Sequence, residues 1–465
     1  MCCDNIHDMD ELLNQAFDLH KQGQLGEAEK LYKELLTQSP DNIQVLDLLA
    51  RIKISQKKYQ EGITINKKIL ELDSQNENAL FDIALAYKNE GLLKESIEFY
   101  NKVITLNPQN TNAHYNVAFI YADLGDVNNA IYHFNKVLEH NPNDNDTKYF
   151  VSLAYLKNRD YKKGLPFFEY RMCRESALLT QVHTYPNLMK QAKLWQGENI
   201  PNKTIYTYYE AGFGDVLMFA RYLPMLQEKC KQIIFKPQVP LTELFRENFP
   251  NIHTMNYFEP EKNIHFDYHI PILSLPYALG LDETNMFISK DKYLKANPQK
   301  IKFYRDKFFN TDKFKIGIKW QGNTTYDWER VIDVKEFIKL FNIPNTKFYS
   351  FQTFEGSEKI EELKKYYDIV DIGKTLNNFS DTAGAIENLD LVICNDTSLA
   401  HIAGAIGKPC WVLLPYLYNW RWHLDLDTCD WYDSIKLFRQ SEPQNWDSVF
   451  DKLYKELTDV LKKHN

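Results

Sequence analysis

A step of 34 residues runs through the first third of this chain and restricts its fold more than any other feature. Stepping from Ala16 gives Ala50, Ala84, Ala118 and Ser152, and a second small-residue register runs Ala28, Gly62, Ser96, Ala130 and Gly164. A third series is Pro40, Ser74, Pro108 and Pro142, each followed by Asp, Gln or Asn, and Tyr87, Tyr121 and Tyr155 keep the same step. Small residues 12 apart, one on each of two consecutive helices, let the helix backbones approach where a larger side chain would hold them apart. The proline 12 positions further on ends the second helix.

This pattern resembles tetratricopeptide repeats, with four complete units from residue 9 onward and a fifth that drifts after Gly164. Stacked repeats make an α-solenoid whose concave face holds an extended peptide or protein segment, a binding role that supplies no chemistry. Asn78, Asn112, Asn116 and Lys148 are candidates to meet a peptide backbone there, with solvated helix surface as their plainer role. The expected domain order is a solenoid over 1–175, a linker over 176–200, and α/β domains over 201–300 and 301–465, the last ending in a helix.

From Lys203 the pattern changes to short β-rich runs separated by helical stretches, as in open parallel sheets. TIYTYYE, QIIFKP and DYHIPI are the first expected strands, with a helix over 216–229. KIGIKW, TKFYSFQ, YDIVDIG, LDLVICND and PCWVLLP form a second set. Ligands of such sheets bind outside the carboxyl ends of the strands, so the turns there are the places to look for chemistry.

Three turns qualify. Gly212, Gly214 and Asp215 follow the first strand; the glycines are expected to permit positive φ and to bare backbone amides, while Asp215, near the helix start, has N-capping as its plainer role. The third glycine of a dinucleotide fingerprint is missing, which disfavours a nicotinamide cofactor. Asp396, Thr397 and Ser398 precede the helix LAHIAGAIG, whose N-terminal amides suit a pyrophosphate, and His401 lies about one and a half turns in. Lys319, Asn323 and Arg330 occupy the loop after KIGIKW, where basic groups would neutralise phosphate.

In order, GFGDVLMFARYLP, GIKWQGN, DLVICNDTSLAHIAGAIGKPCWVLLP and WRW resemble the heptosyltransferase-like glycosyltransferases of the GT-B fold, particularly those joined to tetratricopeptide repeats. The resemblance implies two Rossmann-like domains and a metal-independent, inverting transfer from a nucleotide sugar, with no bound cofactor. It implies Asp215 as the general base and Asp396, Thr397 and His401 as donor ligands, with Arg330 or Lys319 on the donor phosphates and Gln352 on its nucleoside or sugar. Tyr209-Glu210-Ala211 departs from the Ser/Thr-rich version of the family, so the acceptor and sugar are left open. The expected acceptor is a protein or peptide recruited by the repeats. The competing reading is a non-catalytic repeat scaffold with a degenerate transferase domain.

Net charge is -8, which argues against a nucleic-acid partner. Seven cysteines without a CxxC pair suggest a reducing compartment, and the acidic start MCCDNIHDMDELL lacks the pattern of a secretory signal. No apolar run is long enough to span a bilayer, so the cytoplasm is expected. Acylation of Cys2 or Cys3 is the weaker alternative for that end, and Asp425-Leu-Asp427, which imitates a metal-binding DxD, is read as surface.

Overall fold

The computed structural model describes residues 2–174, 192–256, 259, 264–322, 330–424 and 427–464. The chain forms two compact units, Met1–Ala154 and Tyr155–Asn465.

The first unit is a run of antiparallel helix pairs: α1 (Cys2–Lys21), α2 (Leu25–Gln38), α3 (Ile43–Ser55), α4 (Tyr59–Leu72), α5 (Glu77–Asn89), α6 (Leu93–Leu106), α7 (Thr111–Asp123), α8 (Val127–His140) and the start of α9 (Asn145–Lys157). The small residues lie where the helices touch. Ala16, Ala28, Ala50, Ala84, Ala118 and Ala130 are fully buried. Ser96 Oγ donates to the Ala84 carbonyl across one pair at 2.7 Å, and a Cβ on Gly62 would lie 2.8 Å from Ile54.

Two further series with the same period went unread in the sequence. Asn42, Asn76 and Asn110 are N-caps that accept the amides of Val45, Ala79 and Ala113, and Asp144 accepts that of Thr147. Gly23, Lys57, Gly91, Gly125 and Arg159 turn the chain between the helices of each pair with φ of 61 to 79°. That left-handed turn is easy for glycine and costs the two bulky residues roughly 1 kcal/mol each.

Between α7 and α8, His114 Nε2 meets the Pro108 carbonyl at 3.1 Å and so carries the proton, which leaves its Nδ1 to accept from His133 Nδ1–H at 2.8 Å. Burial, and then the neighbouring His114, pull His133 down to about 4. Its folded value lies below its ordinary one, so the neutral pair stabilises the unit fully above about pH 6.5 and less as the pH falls toward 4. Burial pushes Asp82 of the same unit up to about 6, which works in the opposite direction over this range, so the pair is judged against a His133→Phe variant: the first thermal transition of the unaltered chain should drop by roughly 5 °C more than that of the variant between pH 7 and pH 4.5. The same pH dependence in both would contradict the neutral pair.

In the second unit, α10 (Tyr161–Phe168) and the short turn Glu169–Cys173 lead into two parallel sheets. Arg171, in this turn, is held within the second unit by Glu210. The first sheet has the order β4-β3-β2-β5-β1, made of β1 (Lys193–Leu194), β2 (Ile200–Tyr208), β3 (Cys230–Lys236), β4 (His253–Thr254) and β5 (Tyr268–Pro271). β1 lies in the segment expected to be linker, and Trp195 just beyond it is buried.

The second sheet runs β8-β7-β6-β9-β10-β11, with β6 (Phe314–Lys319), β7 (Thr346–Ser350), β8 (Ile369–Asp371), β9 (Leu391–Asn395), β10 (Cys410–Leu414) and β11 (Ile435–Arg439). The named strands pair in parallel throughout both sheets. In chain order the second sheet reads 3-2-1-4-5-6, the doubly wound arrangement. Its main core joins Ile316, Ile318, Trp320, Phe337 and Ile393 to Phe450, Leu453 and Leu457 of a C-terminal helix, Asp447–His464. Among the described residues no helix is long and apolar enough to cross a membrane.

Candidate active site in the crevice between the two sheets

Each sheet reverses its strand order once, the first between β2 and β5 and the second between β6 and β9. A crevice opens outside the carboxyl ends at such a reversal. Both Asp215 and Thr397 lie on segments that leave strands at these points.

Asp215 is the third residue of α11 (Phe213–Phe219), a helix of seven residues rather than the long one expected, because a 3-10 turn at Ala220–Tyr222 and then Pro224 interrupt the helical run. Gly212 rather than Asp215 is the N-cap, and Asp215 reaches back from the third position of the helix, its Oδ2 accepting the Gly212 amide at 3.0 Å. Its Oδ1 pairs with the guanidinium of Arg421. The turn into α11 does not use the glycines for positive φ: Gly212 has φ -82° and the left-handed residue is Ala211, at 59°. Gly214 matters for space instead. A Cβ there would lie 2.6 Å from His401 Cδ2, so only glycine lets α11 touch His401.

His401 belongs to α12 (Ser398–Ala405), which leaves β9 with Thr397 as its N-cap. Thr397 makes no side-chain cap bond, and it and Ser398 are half-buried at the helix start. The His401 ring is buried, stacks on Trp422 at 5.4 Å and meets the Tyr432 hydroxyl at 3.1 Å through Nδ1. Burial pulls it down to about 4, against the raising effect of Asp396 and Asp215, so the ring is neutral near pH 7. His401 lies four residues from Thr397, about 6 Å along the axis, so the contact of Gly214 with His401 packs α11 against α12 near its start. The rings of Phe213 and Phe379 are 5.2 Å apart.

The other expected site residues divide. Asp396 pairs with Arg330 at 3.4 Å, and Asn395 Nδ2 donates to the Arg330 carbonyl at 2.8 Å; together they tie the loop after β6 to the end of β9. A Cβ on Gly322 would come within 3.3 Å of Thr397, so this loop edges the same crevice. Lys319 is buried with its Nζ 3.4 Å from both the Phe351 carbonyl and Thr353 Oγ1, and burial lowers its ammonium to about 8. Asn323 lies outside the described residues, as does Asp425; Asp427 is exposed and pairs with Lys452 at 3.1 Å.

Gln352 does not reach the crevice. Its Oε1 accepts the Trp320 and Gln321 amides and its Nε2 donates to the carbonyls of Gln321, Thr353 and Glu355. The side chain is spent on joining two loops, so its role is to shape them.

Sequence reasoning missed Arg421 and its supports. Arg421 sits in the turn Trp420–Trp422 beyond β10, and its only signal was the string WRW. Its carbonyl accepts from Trp431 Nε1 at 2.8 Å, and the Trp422 carbonyl accepts from Arg439 at 2.7 Å. His423, with φ 44°, meets the Tyr161 hydroxyl at 2.6 Å and Asp430 at 3.1 Å. The reversal of the first sheet is filled by a second missed group. Arg171 meets Glu210, immediately beyond β2, at 2.6 and 3.3 Å, Glu169 at 2.7 Å and Ser274 at 2.7 Å.

Family profiles described as tetratricopeptide repeat match residues 19–85, 77–110 and 111–144. The first unit is built of tetratricopeptide repeats. Protein FlbA of Caulobacter vibrioides is 22% identical over 292 residues, 57% of this chain and 48% of that protein. The chain therefore spans about half the length of that curated relative. Among solved structures, the MamA protein is 19% identical and covers 38% of this chain and 94% of its own, with a TM-score of 0.34. A tetratricopeptide repeat protein from Parabacteroides merdae ATCC 43184 is 22% identical over 39% and 68%, with a TM-score of 0.34. YrrB, a repeat protein with an unusual peptide-binding site, is 17% identical over 38% and 90%, with a TM-score of 0.32.

Proposed function

We propose that the second unit is a GT-B glycosyltransferase that moves a sugar from a nucleotide sugar to a protein or peptide recruited by the repeats. The observation that carries this reading is a carboxylate, Asp215, at the reversal of one parallel sheet, on a helix that packs through Gly214 against His401 of α12, whose uncapped start, Thr397–Ser398, lies at the reversal of the other. The N-terminal amides of α12 and their dipole suit a diphosphate.

The chemistry is a single displacement. Asp215 takes the proton of the acceptor hydroxyl as its oxygen attacks the anomeric carbon; the bond from that carbon to the diphosphate oxygen breaks, and its electron pair leaves with the nucleoside diphosphate. Attack opposite the leaving group inverts the anomeric centre. Charge building on the diphosphate is met by the helix start and nearby cations, preorganised in a site shielded from bulk water.

The tetratricopeptide profiles over residues 19–144 support protein binding by the repeats, and a second reading rests on that alone: a repeat scaffold whose transferase domain is inactive. A panel of UDP, GDP, ADP and CMP sugars separates the two. Under the enzyme reading one of them stabilises the full chain by about 2.7 kcal/mol at a hundred times its Kd, seen as a raised melting temperature. No shift with any of them would leave the scaffold.

A further inference from the structure

The Asp215 carboxylate is fully engaged. One oxygen takes the Gly212 amide and the other takes Arg421, so both are spoken for before any acceptor arrives. While Arg421 occupies that oxygen, an acceptor hydroxyl has no free carboxylate lone pair of Oδ1 directed at it on that side. Arg421, for its part, is held lightly from its own loop. It bonds Asn419 Oδ1 at 2.7 Å and lies 5.0 Å from the centroid of the Trp420 ring, while its Nε is buried with no hydrogen-bond partner. A guanidinium has five donors in a planar fork, which suits two phosphate oxygens at once.

The cations suggested by the sequence are otherwise directed. Arg330 pairs with Asp396, and Lys319 is turned toward the end of β7. Arg421 follows β10, the neighbour of β9, and Trp422 beside it lies on the ring of His401 in α12. Arg421 therefore touches Asp215 and is joined through its neighbour Trp422 to α12, the helix that starts at Thr397–Ser398.

We propose that Arg421 passes between two anions: it holds Asp215 while the crevice is unliganded and turns to the diphosphate once the donor binds, so that donor binding frees the base. The proposal rests on the transfer reading above. A diphosphate carries more charge than a carboxylate and offers more oxygens, so it competes well for the guanidinium. The acceptor is then productive only after the donor, and Asp215 acts as a competitor of the donor for Arg421.

Titration calorimetry of the full chain with UDP, GDP and ADP tests this without an acceptor. For whichever diphosphate binds the unaltered protein, Arg421→Gln should weaken binding by roughly 10- to 100-fold and Arg421→Lys by less. Asp215→Asn should tighten binding several-fold, because the competing carboxylate is gone, and the double variant should bind as weakly as Arg421→Gln alone. Melting curves of each variant confirm that it is folded; the tightening by Asp215→Asn is a gain that a folding defect cannot produce. Binding unchanged by both Arg421→Gln and Asp215→Asn would overturn the exchange while leaving the transferase reading intact. Absence of binding by any of the three to the unaltered protein would overturn the exchange, and with the nucleotide-sugar panel also silent it would overturn the transferase reading as well.

Discussion

Asp215→Asn is expected to lower sugar transfer by about 100- to 10,000-fold while nucleotide-sugar affinity stays at least as tight. The amide keeps the size of the carboxylate and can still accept the Gly212 amide at the start of α11, so the helix should hold its place. It cannot, however, take a proton from the acceptor hydroxyl. The measurement is turnover at saturating donor, set beside donor affinity by calorimetry. Turnover within a few-fold of the unaltered protein would remove Asp215 from the role of base.

Arg171→Met should cost the second unit about 3 to 5 kcal/mol, seen as a melting transition lower by roughly 10 °C. Glu210 is 1% exposed beside Arg171, and Glu169 and Ser274 are joined to the same guanidinium. Burial pushes the Glu210 carboxyl above its ordinary value and Arg171 opposes this, so removing the arginine leaves a carboxyl that must either stay charged without a partner or take up a proton. Pairing Arg171→Met with Glu210→Leu should recover most of the loss, since a well-packed apolar pair needs no compensation. A single variant as stable as the unaltered protein would mean that the network contributes little.

Much of the first unit was legible in the sequence, because each repeat meets the same neighbours and must solve the same packing problem every 34 residues. The alanines and glycines of the two small registers were found for that reason, and Asn42, Asn76 and Asn110 carried the same signal unread. The longer strands β2, β3, β6, β7, β9 and β10 also showed as apolar or β-branched runs. The edge strands β1 and β4 did not, since two residues give no periodicity, and β11 went unread although Asp433-Ser434 and Ser441-Glu442-Pro443 bracket it. At the site, Asp215, Thr397 and His401 could be found because each follows a strand within a short, distinctive turn. Gln352 could not be judged, because only the positions of five amide and carbonyl groups around it show that its side chain is already used.

Local order along the chain was enough to settle the repeat period, the change to alternating strands and helices, and the residue types present at each strand end. Which of those residues meet was decided only by the tertiary structure. Arg421 stands 206 residues from Asp215, and Arg171 is 39 from Glu210. Pairings over such distances depend on how two sheets and their loops close on one another, and a charge finds its partner through space, leaving no spacing in the sequence to read.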